Sequence, residues 1–467
     1  MAVFLEKKSS CWKTFSIKRV QPMRGKVKRK WSIVLLSGLV LLGAFSCRVF
    51  LKYKRLHHQC DLVVMGPIEF ADGIGRQAVG LIDCLKHSCS IQYIRQGSCD
   101  FKDVPASVKR IAKQKYKKKA KVLIYEPPIL NGSSSIFPSL PNVDIRIAYS
   151  MFESTKIPQE WVIVLNNLFD AVVVPDSFLV DVYRNSGVRI PVFIVPLGMR
   201  VKSFLKQSFV HSKPVDRPFV FGALGSVDSR KNQRMLVRAF AKEFGNNPNV
   251  KLLINGRRMD REYLAKIKGD IELFKLNNVS VTAMSLKQRD YLRLLKSLDC
   301  YVSPSKGEGF SLQPREALAL GLPSIVADNT AQKTICQSGY VCSVPSQIIV
   351  KAVYDGWRGL DLGDQFGCKV NDLAAALRDV YDNYDLYAQK AFEGRSWVEQ
   401  YEYEQLRKFY ETLVSPKEVV LSDRDEVAEG VLYTTSQKLK QSYEMIQEDK
   451  TFKRRLCNAL IIKLFQG

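Results

Sequence analysis

The chain has 467 residues, 46% of them hydrophobic and 25% charged. That is room for two domains, and an ordinary globular composition, which excludes a low-complexity chain. The formal net charge of +25 is not ordinary, and about half of it is N-terminal: residues 1–60 hold fourteen Lys and Arg against one acidic residue, Glu6.

The basic tail, 1–30, runs into an uncharged stretch between Lys30 and Arg48 that continues to Leu51. Its length is near the lower limit of the roughly 17–25 residues a spanning helix needs. The segment before it is too long for the n-region of a cleaved signal peptide. The reading is a signal-anchor helix at 31–51, with the tail cytosolic because the preceding flank is the more basic. Arg48, Lys52, Lys54 and Arg55 count against a full span and leave a shallow, monotopic in-plane anchor open.

Beyond the anchor, Asp61 to Gly66 reads as a strand, and Asp72 to Arg76 as a glycine turn opening an amphipathic helix. Apolar runs at 122–126, 145–149, 171–174 and 192–195 are further strands with helical stretches between them. Strands alternating with helices imply a parallel sheet covered on both faces, here a first doubly wound domain over 58–200. A polar segment at 201–217 reads as a linker. The pattern restarts in a second domain, 218–400, with strands at 219–225, 250–256, 279–281, 300–302 and 323–327. Ser285 and Gln288 form a capping-box pattern that predicts a helix from Arg289 to Ser297. Residues 371–413 have helical periodicity, and 401–467 form a charged, helical extension with a basic amphipathic end. Ligands of such sheets bind beyond the carboxyl ends of the strands, which places the site in the cleft between the two halves.

The most informative stretch runs from Ser303 to Pro323. It contains a strand end, a loop with Gly307 and Gly309, a helix start and a helix stop. Pro314 suits a first helical turn, Gly321 the left-handed position that ends a helix, and Pro323 prevents continuation. The helix start presents unpaired N–H groups and a positive dipole end to the loop. Glu308 and Glu316 flank that cradle. The layout suits a ligand carrying both phosphate and hydroxyls.

These residues resemble the Glu-x7-Glu signature of retaining GT-B glycosyltransferases, the group 1 or family 4-like enzymes. Two other stretches share the resemblance, which covers about 60–410. One is Gly225 to Asn232, similar to the family's G-R-L-x-x-x-K-G loop; the other runs from Ile147 to Ser154 and on through Pro196 to Met199. The resemblance implies two Rossmann-like domains facing a cleft, the first on the acceptor side and the second binding a nucleotide diphosphate sugar. It gives Glu316 the ribose, Glu308 the donor sugar, and the amides of Gly309, Phe310, Ser311 and Leu312 the sugar or diphosphate. Lys231 matches the family's diphosphate lysine. Asn255 and Gly256 lie where base and sugar are read. No cofactor or metal is expected, because Lys231 and a neighbour would stand in for one. Where the family has an arginine after the first glycine of the loop, this chain has Ser226, and Arg230 is the candidate replacement.

In the first half, Gly73, Gly75 and Arg76 match the family's glycine-rich loop near donor phosphate or acceptor; as a bare glycine pair they read as a turn. Glu153, at the cleft edge, is a candidate for acceptor or donor-sugar contact, with helix capping equally open. The four histidines fit no motif. Eleven cysteines without a CxxC pair favour scattered thiols over a metal site, with disulfides among Cys60, Cys84, Cys89 and Cys99 open if the body is lumenal. Asn131 and Asn278 begin glycosylation sequons, and Asp423-Arg424-Asp425 reads as a solvated charge cluster rather than a metal motif. The basic run from Lys109 to Lys121 is a solvated face or a contact for anionic headgroups. It lacks the aromatic interleaving of a nucleic-acid surface.

The resulting expectation is a membrane-anchored, metal-independent retaining hexosyltransferase. It would use a nucleotide sugar and the hydroxyl of a glycan or lipid-linked acceptor. The alternative is a non-catalytic glycosyltransferase-like partner or scaffold at a membrane, motivated by Ser226.

Overall fold

The computed structural model describes residues 60–69, 73–116, 120–125, 140–141, 143–207, 212–354 and 359–414. The basic tail, the anchor stretch 31–51, the Asn131 sequon, the Asp423–Asp425 cluster and the rest of 415–467 lie outside the described residues. Among the described residues, no helix is long and apolar enough to cross a membrane.

Two six-stranded sheets dominate the fold, each wholly parallel. The first contains β1 (Cys60–Ile68), β2 (Ile91–Cys99), β3 (Ala120–Tyr125), β4 (Val143–Tyr149), β5 (Ala171–Val174) and β6 (Val192–Ile194), in the order β2-β1-β3-β4-β5-β6. The second contains β7 (Phe219–Leu224), β8 (Val250–Asn255), β9 (Val279–Thr282), β10 (Cys300–Ser303), β11 (Ser324–Asp328) and β12 (Cys342–Pro345), in the order β12-β11-β10-β7-β8-β9. An antiparallel pair, β13 (Ile348–Lys351) and β14 (Asp364–Gly367), stands apart.

The central strands alternate their side chains between two apolar layers. Val63 and Met65 join Trp161, Leu165 and Tyr183 on one face of the first sheet. Leu62 and Val64 join Leu81, Ile82, Val108 and Tyr410 on the other. The second sheet repeats this, with Phe219, Phe221 and Leu252 on one side and Leu224, Tyr301 and Val326 on the other. Burial on both faces explains the short, continuous apolar runs in the sequence. The two-halved α/β architecture is the one the resemblance implies.

Three sequence readings are revised by the structure. The polar segment 201–217 begins with a helix, Val201–Leu205, whose Val201 and Phe204 are buried. The helix predicted from Arg289 spans Gln288–Lys296 with Lys287 at its N-cap, and no side-chain cap forms. Its first amide instead donates to Asp103 Oδ2 at 3.0 Å, so a carboxylate from the first half replaces the capping box. The helix Tyr403–Val414, grouped by periodicity with the C-terminal extension, packs onto the first sheet. Leu406, Phe409 and Tyr410 lie in its core, and the Tyr410 hydroxyl donates to the Pro196 carbonyl at 2.9 Å. In line with the scattered-thiol reading, Cys60, Cys84, Cys89 and Cys99 are all free thiols, and the open alternative of disulfides among them does not form here. Burial pushes Cys84 up to about 11 and Cys89 to about 12, which keeps both as unreactive thiols.

Candidate active site

In the second sheet the chain leaves β7 in one direction through β8 and β9, then returns to the other side of β7 with β10. That reversal is a topological switch point, where loops on either side diverge and leave a crevice. The loop after β7, Gly225 to Asn232, and the loop after β10, Pro304 to Ser311, flank it. The start of the helix Gly73–Leu85 and the loop after β4 of the first half face them. Together they enclose a cavity of about 1000 Å³, at the upper end of the roughly 300–1,000 Å³ usual for ligand pockets.

Two helices begin at this cavity. Gln233–Phe244 has Asn232 at its N-cap with φ of 63°, and Leu312–Leu320 has Ser311 there with φ of 68°. Neither residue caps its helix through the side chain. Left-handed backbone at non-glycine residues is uncommon and costs energy unless the surroundings hold it. At Ser311 those surroundings are explicit. Arg315, fully buried, donates from Nη1 to the carbonyls of Phe310 and Ser311, and its guanidinium sits 3.9 Å from the Phe310 ring centroid. With those carbonyls turned inward, the amides at the start of Leu312–Leu320 lie at the cavity, at the positive end of the helix dipole. Gly321 ends that helix with φ of 76°, a conformation glycine adopts without steric cost.

Glu308 sits at the centre of the charged cluster. Thr330 Oγ1 accepts its amide at 2.9 Å, and its carbonyl accepts the Ala331 amide at 3.2 Å. Its Oε1 receives Lys231 Nζ at 2.6 Å and lies 3.1 Å from Arg230 Nη1. Burial pushes the Glu308 carboxyl up, but Lys231 and then Arg230 outweigh it and hold it at about 2. Burial likewise opposes the charge on Arg230, yet Glu308 and Glu153 keep its guanidinium charged. Arg230 also donates to the Gly307 carbonyl at 2.8 Å and lies 3.9 Å from Glu153. Burial raises the Glu153 carboxyl despite Arg230.

Glu316, on Leu312–Leu320, has both oxygens engaged. Arg76 Nη1 reaches Oε1 at 2.5 Å, and the Tyr291 hydroxyl donates to Oε2 at 2.6 Å. Arg257, just after β8, pairs with the buried Glu69 after β1, whose other oxygen accepts from Ser98 at 2.6 Å.

The cavity therefore gathers Gly73, Arg76 and Glu153 from the first half with Ser226, Arg230, Lys231, Asn255, Glu308, Gly309, Phe310, Ser311, Leu312 and Glu316 from the second. Two expected residues lie behind it. Gly75 packs against the Glu69 backbone, and Gly256 against the Gly225 carbonyl and Val227. Asn255 lines the wall, but its Oδ1 accepts from Thr282 Oγ1 and the Met284 amide at 2.8 and 2.9 Å, so the side chain shapes the loop after β9. Sequence reasoning missed Tyr291, Arg315, Glu69 and Arg257. Only Arg315, inside the motif helix, carried a local signal: a charged residue on an otherwise apolar helix. Among the described residues, no group of three or more His, Cys, Asp or Glu is placed to hold a metal ion.

Comparison with known proteins bears on this geometry. Residues 205–352 match the family of glycosyl transferases group 1. A segment of 134 residues is 36% identical to the uncharacterized glycosyltransferase MJ1059 of Methanocaldococcus jannaschii, spanning 28% of this chain and only 29% of that relative's length. The fold is similar to that of Anabaena Alr3699/HepE, determined in complex with UDP and glucose, with a TM-score of 0.52 and 13% identity over 76% of this chain and 100% of that one. It is also similar to a glycosyltransferase from Rickettsia africae, with a TM-score of 0.53 and 14% identity over 76% and 98% of the two chains. At those identities the likeness is one of fold. The chain thus contains a glycosyltransferase group 1 domain, set within a GT-B-like fold of two parallel sheets.

Proposed function

We propose that this protein is a retaining glycosyltransferase that moves a hexose from a nucleoside diphosphate sugar to a hydroxyl acceptor. The observation that carries the reading is the convergence of Lys231, Arg230 and the first amides of Leu312–Leu320 on one cavity that also holds Glu308 and Glu316. Charge grows on the diphosphate as the glycosidic bond breaks, and a cation with preorganised amides stabilises that charge. No bound metal is needed for this role.

In this reading Glu316 holds the ribose and Glu308 the transferred sugar. The acceptor hydroxyl approaches from the side of Gly73 and Glu153. The departing diphosphate oxygen takes the acceptor proton, so no side chain becomes a covalent nucleophile. Glu153, whose carboxyl burial makes easier to protonate, is placed to hydrogen-bond acceptor or sugar. The basic tail and the mostly apolar run at 31–51 would keep this body at a membrane, beside a glycan or lipid-linked acceptor.

UDP is the first nucleotide to test, since the similar Anabaena structure contains it. Thermal shift across nucleotide sugars identifies the base, because a ligand at 100 times its dissociation constant adds about 2.7 kcal/mol. Donor hydrolysis is then compared between wild type and Glu316→Ala, with kcat/KM expected to fall about tenfold to a hundredfold. Absence of turnover in both, together with absence of nucleotide binding, would leave the non-catalytic partner as the reading.

A further inference from the structure

The backbone of Glu308 is held as firmly as its carboxylate, and one turn holds it on both sides. Its amide donates to Thr330 Oγ1 at 2.9 Å, and its carbonyl accepts the Ala331 amide at 3.2 Å. Thr330 lies just beyond β11, is 6% exposed and has φ of 43°. A β-branched residue in the left-handed region is a genuine outlier. It persists only where the surroundings over-determine it, and such outliers gather at functional sites.

Those surroundings fix which way the Thr330 hydroxyl points. Asn329 Nδ2 donates to the Ser305 carbonyl at 2.9 Å and to the Phe366 carbonyl at 3.2 Å. Carbonyls only accept, so the Asn329 amide has one orientation and its Oδ1 stays an acceptor. Thr330 Oγ1 donates its single hydrogen to that oxygen at 3.0 Å. Its lone pairs are thereby left for the Glu308 amide. Gln332 braces the same turn. Its Nε2 donates to the Ala327 carbonyl at 2.9 Å, and its Oε1 accepts from Ser303 at 2.6 Å. The left-handed turn thus brings one hydroxyl and the next amide onto both backbone groups of Glu308.

We propose that Thr330 is a positioning residue for Glu308: its hydroxyl fixes the backbone from which the Glu308 carboxylate reaches the transferred sugar. This rests on the donor reading above, in which Glu308 holds the sugar and Glu316 the ribose. The strain at residue 330 then serves recognition of the sugar, and the nucleotide end of the site does not depend on it.

The test is calorimetric titration of the full chain with UDP and with UDP-glucose, or with the corresponding pair for another nucleotide sugar if thermal shift selects one. The ratio of the two dissociation constants isolates what the sugar adds, and wild type should bind the nucleotide sugar more tightly. Thr330→Val keeps the size and the β-branch and removes the hydroxyl. It should bind UDP as wild type does, while the affinity gained from the sugar falls about fivefold to tenfold, the worth of one hydrogen bond lost at a buried amide. Thr330→Ser restores the hydroxyl and should restore the gain. UDP binding reports that each variant is folded, and Thr330→Ala repeats the test if Thr330→Val does not fold. An unchanged gain without the hydroxyl, an equal fall in Thr330→Ser, or a wild type that gains nothing from the sugar overturns the proposal while the donor reading stands. So does loss of UDP binding in both Thr330→Val and Thr330→Ala with Thr330→Ser intact, which makes the hydroxyl a support of the fold. A wild type that binds neither ligand overturns both.

Discussion

Glu308 is the residue whose protonation the site controls most tightly. Held at about 2 against an ordinary carboxyl value of 4.5, it favours the fold through its ionised form. A depressed carboxyl contributes stability that is complete above the unfolded value and is lost as pH falls through the folded one. The window is therefore pH 4.5 down to 2, and the shift corresponds to about 3 kcal/mol. Wild type should lose that much more stability across the window than Glu308→Gln in acid unfolding followed by circular dichroism. Glu153 has the opposite sign: burial raises its carboxyl, so its charge opposes folding at neutral pH. Lys231 is the other half of the Glu308 pair. Lys231→Met leaves the carboxylate to Arg230 alone and removes a cation proposed to stabilise the leaving group. Single-turnover kinetics should show kcat down about 10²–10³-fold, the usual worth of one preorganised donor to a developing charge.

At the scale of elements, the loop from Pro304 to Ser311 is held by close approach as much as by hydrogen bonds. A methyl group on Gly307 would overlap the Glu153 carbonyl oxygen, and Gly309 lies against Met151 and the Phe152 carbonyl. Gly307→Ala should therefore push the β10 loop away from the β4 loop. Overpacking of that kind costs about 1–3 kcal/mol, and the loss should appear as a lower midpoint in urea unfolding. The motif itself was legible because strand, loop, cap and helix stop follow one another within a single stretch, each written in local residue choice. The buried strands were legible for the same reason: two covered faces leave a continuous apolar run. Two of the four edge strands, β2 and β12, were not. β2, Ile91–Cys99, has only Tyr93 buried and carries Gln92, Arg95 and Gln96, so no apolar run marks it. The partners of Glu316 were not legible either. Arg76 is 240 residues away and Tyr291 is 25, and only the facing of two sheets brings them to one carboxylate. The helix Tyr403–Val414 showed its amphipathic face in the sequence, but not that this face belongs to the first sheet.

At the scale of the molecule, the two halves are joined by apolar clusters that draw on both, such as Leu197 and Met199 with Phe310 and Leu318, and by charged and polar contacts across the cleft. Arg257 pairs with Glu69, Arg76 with Glu316, Arg230 approaches Glu153, and Asp103 caps Gln288–Lys296. Thr334 also donates to Asp176 at 2.8 Å. A nucleotide sugar needs relative motion of the halves to enter a cavity walled by both, and the charged and polar contacts at the cleft are the ones that motion breaks. The Arg257–Glu69 pair is an ion pair that lies outside the charged cluster of Glu308 and Glu316. Glu69 is 5% exposed, while Arg257 is 29% exposed, so removing Glu69 breaks the contact and leaves the guanidinium to solvent. Glu69→Ala should therefore weaken the joint without altering the groups proposed to hold the donor. In small-angle scattering its radius of gyration should exceed that of wild type, and saturating UDP, by bridging both walls, should bring the two values together. Stopped-flow binding should show a faster association, because less of the population has to part its halves first. An unchanged radius with unchanged association would mean that the helix Tyr403–Val414 and the loops at 150–155, not the ion pairs, fix the halves in place.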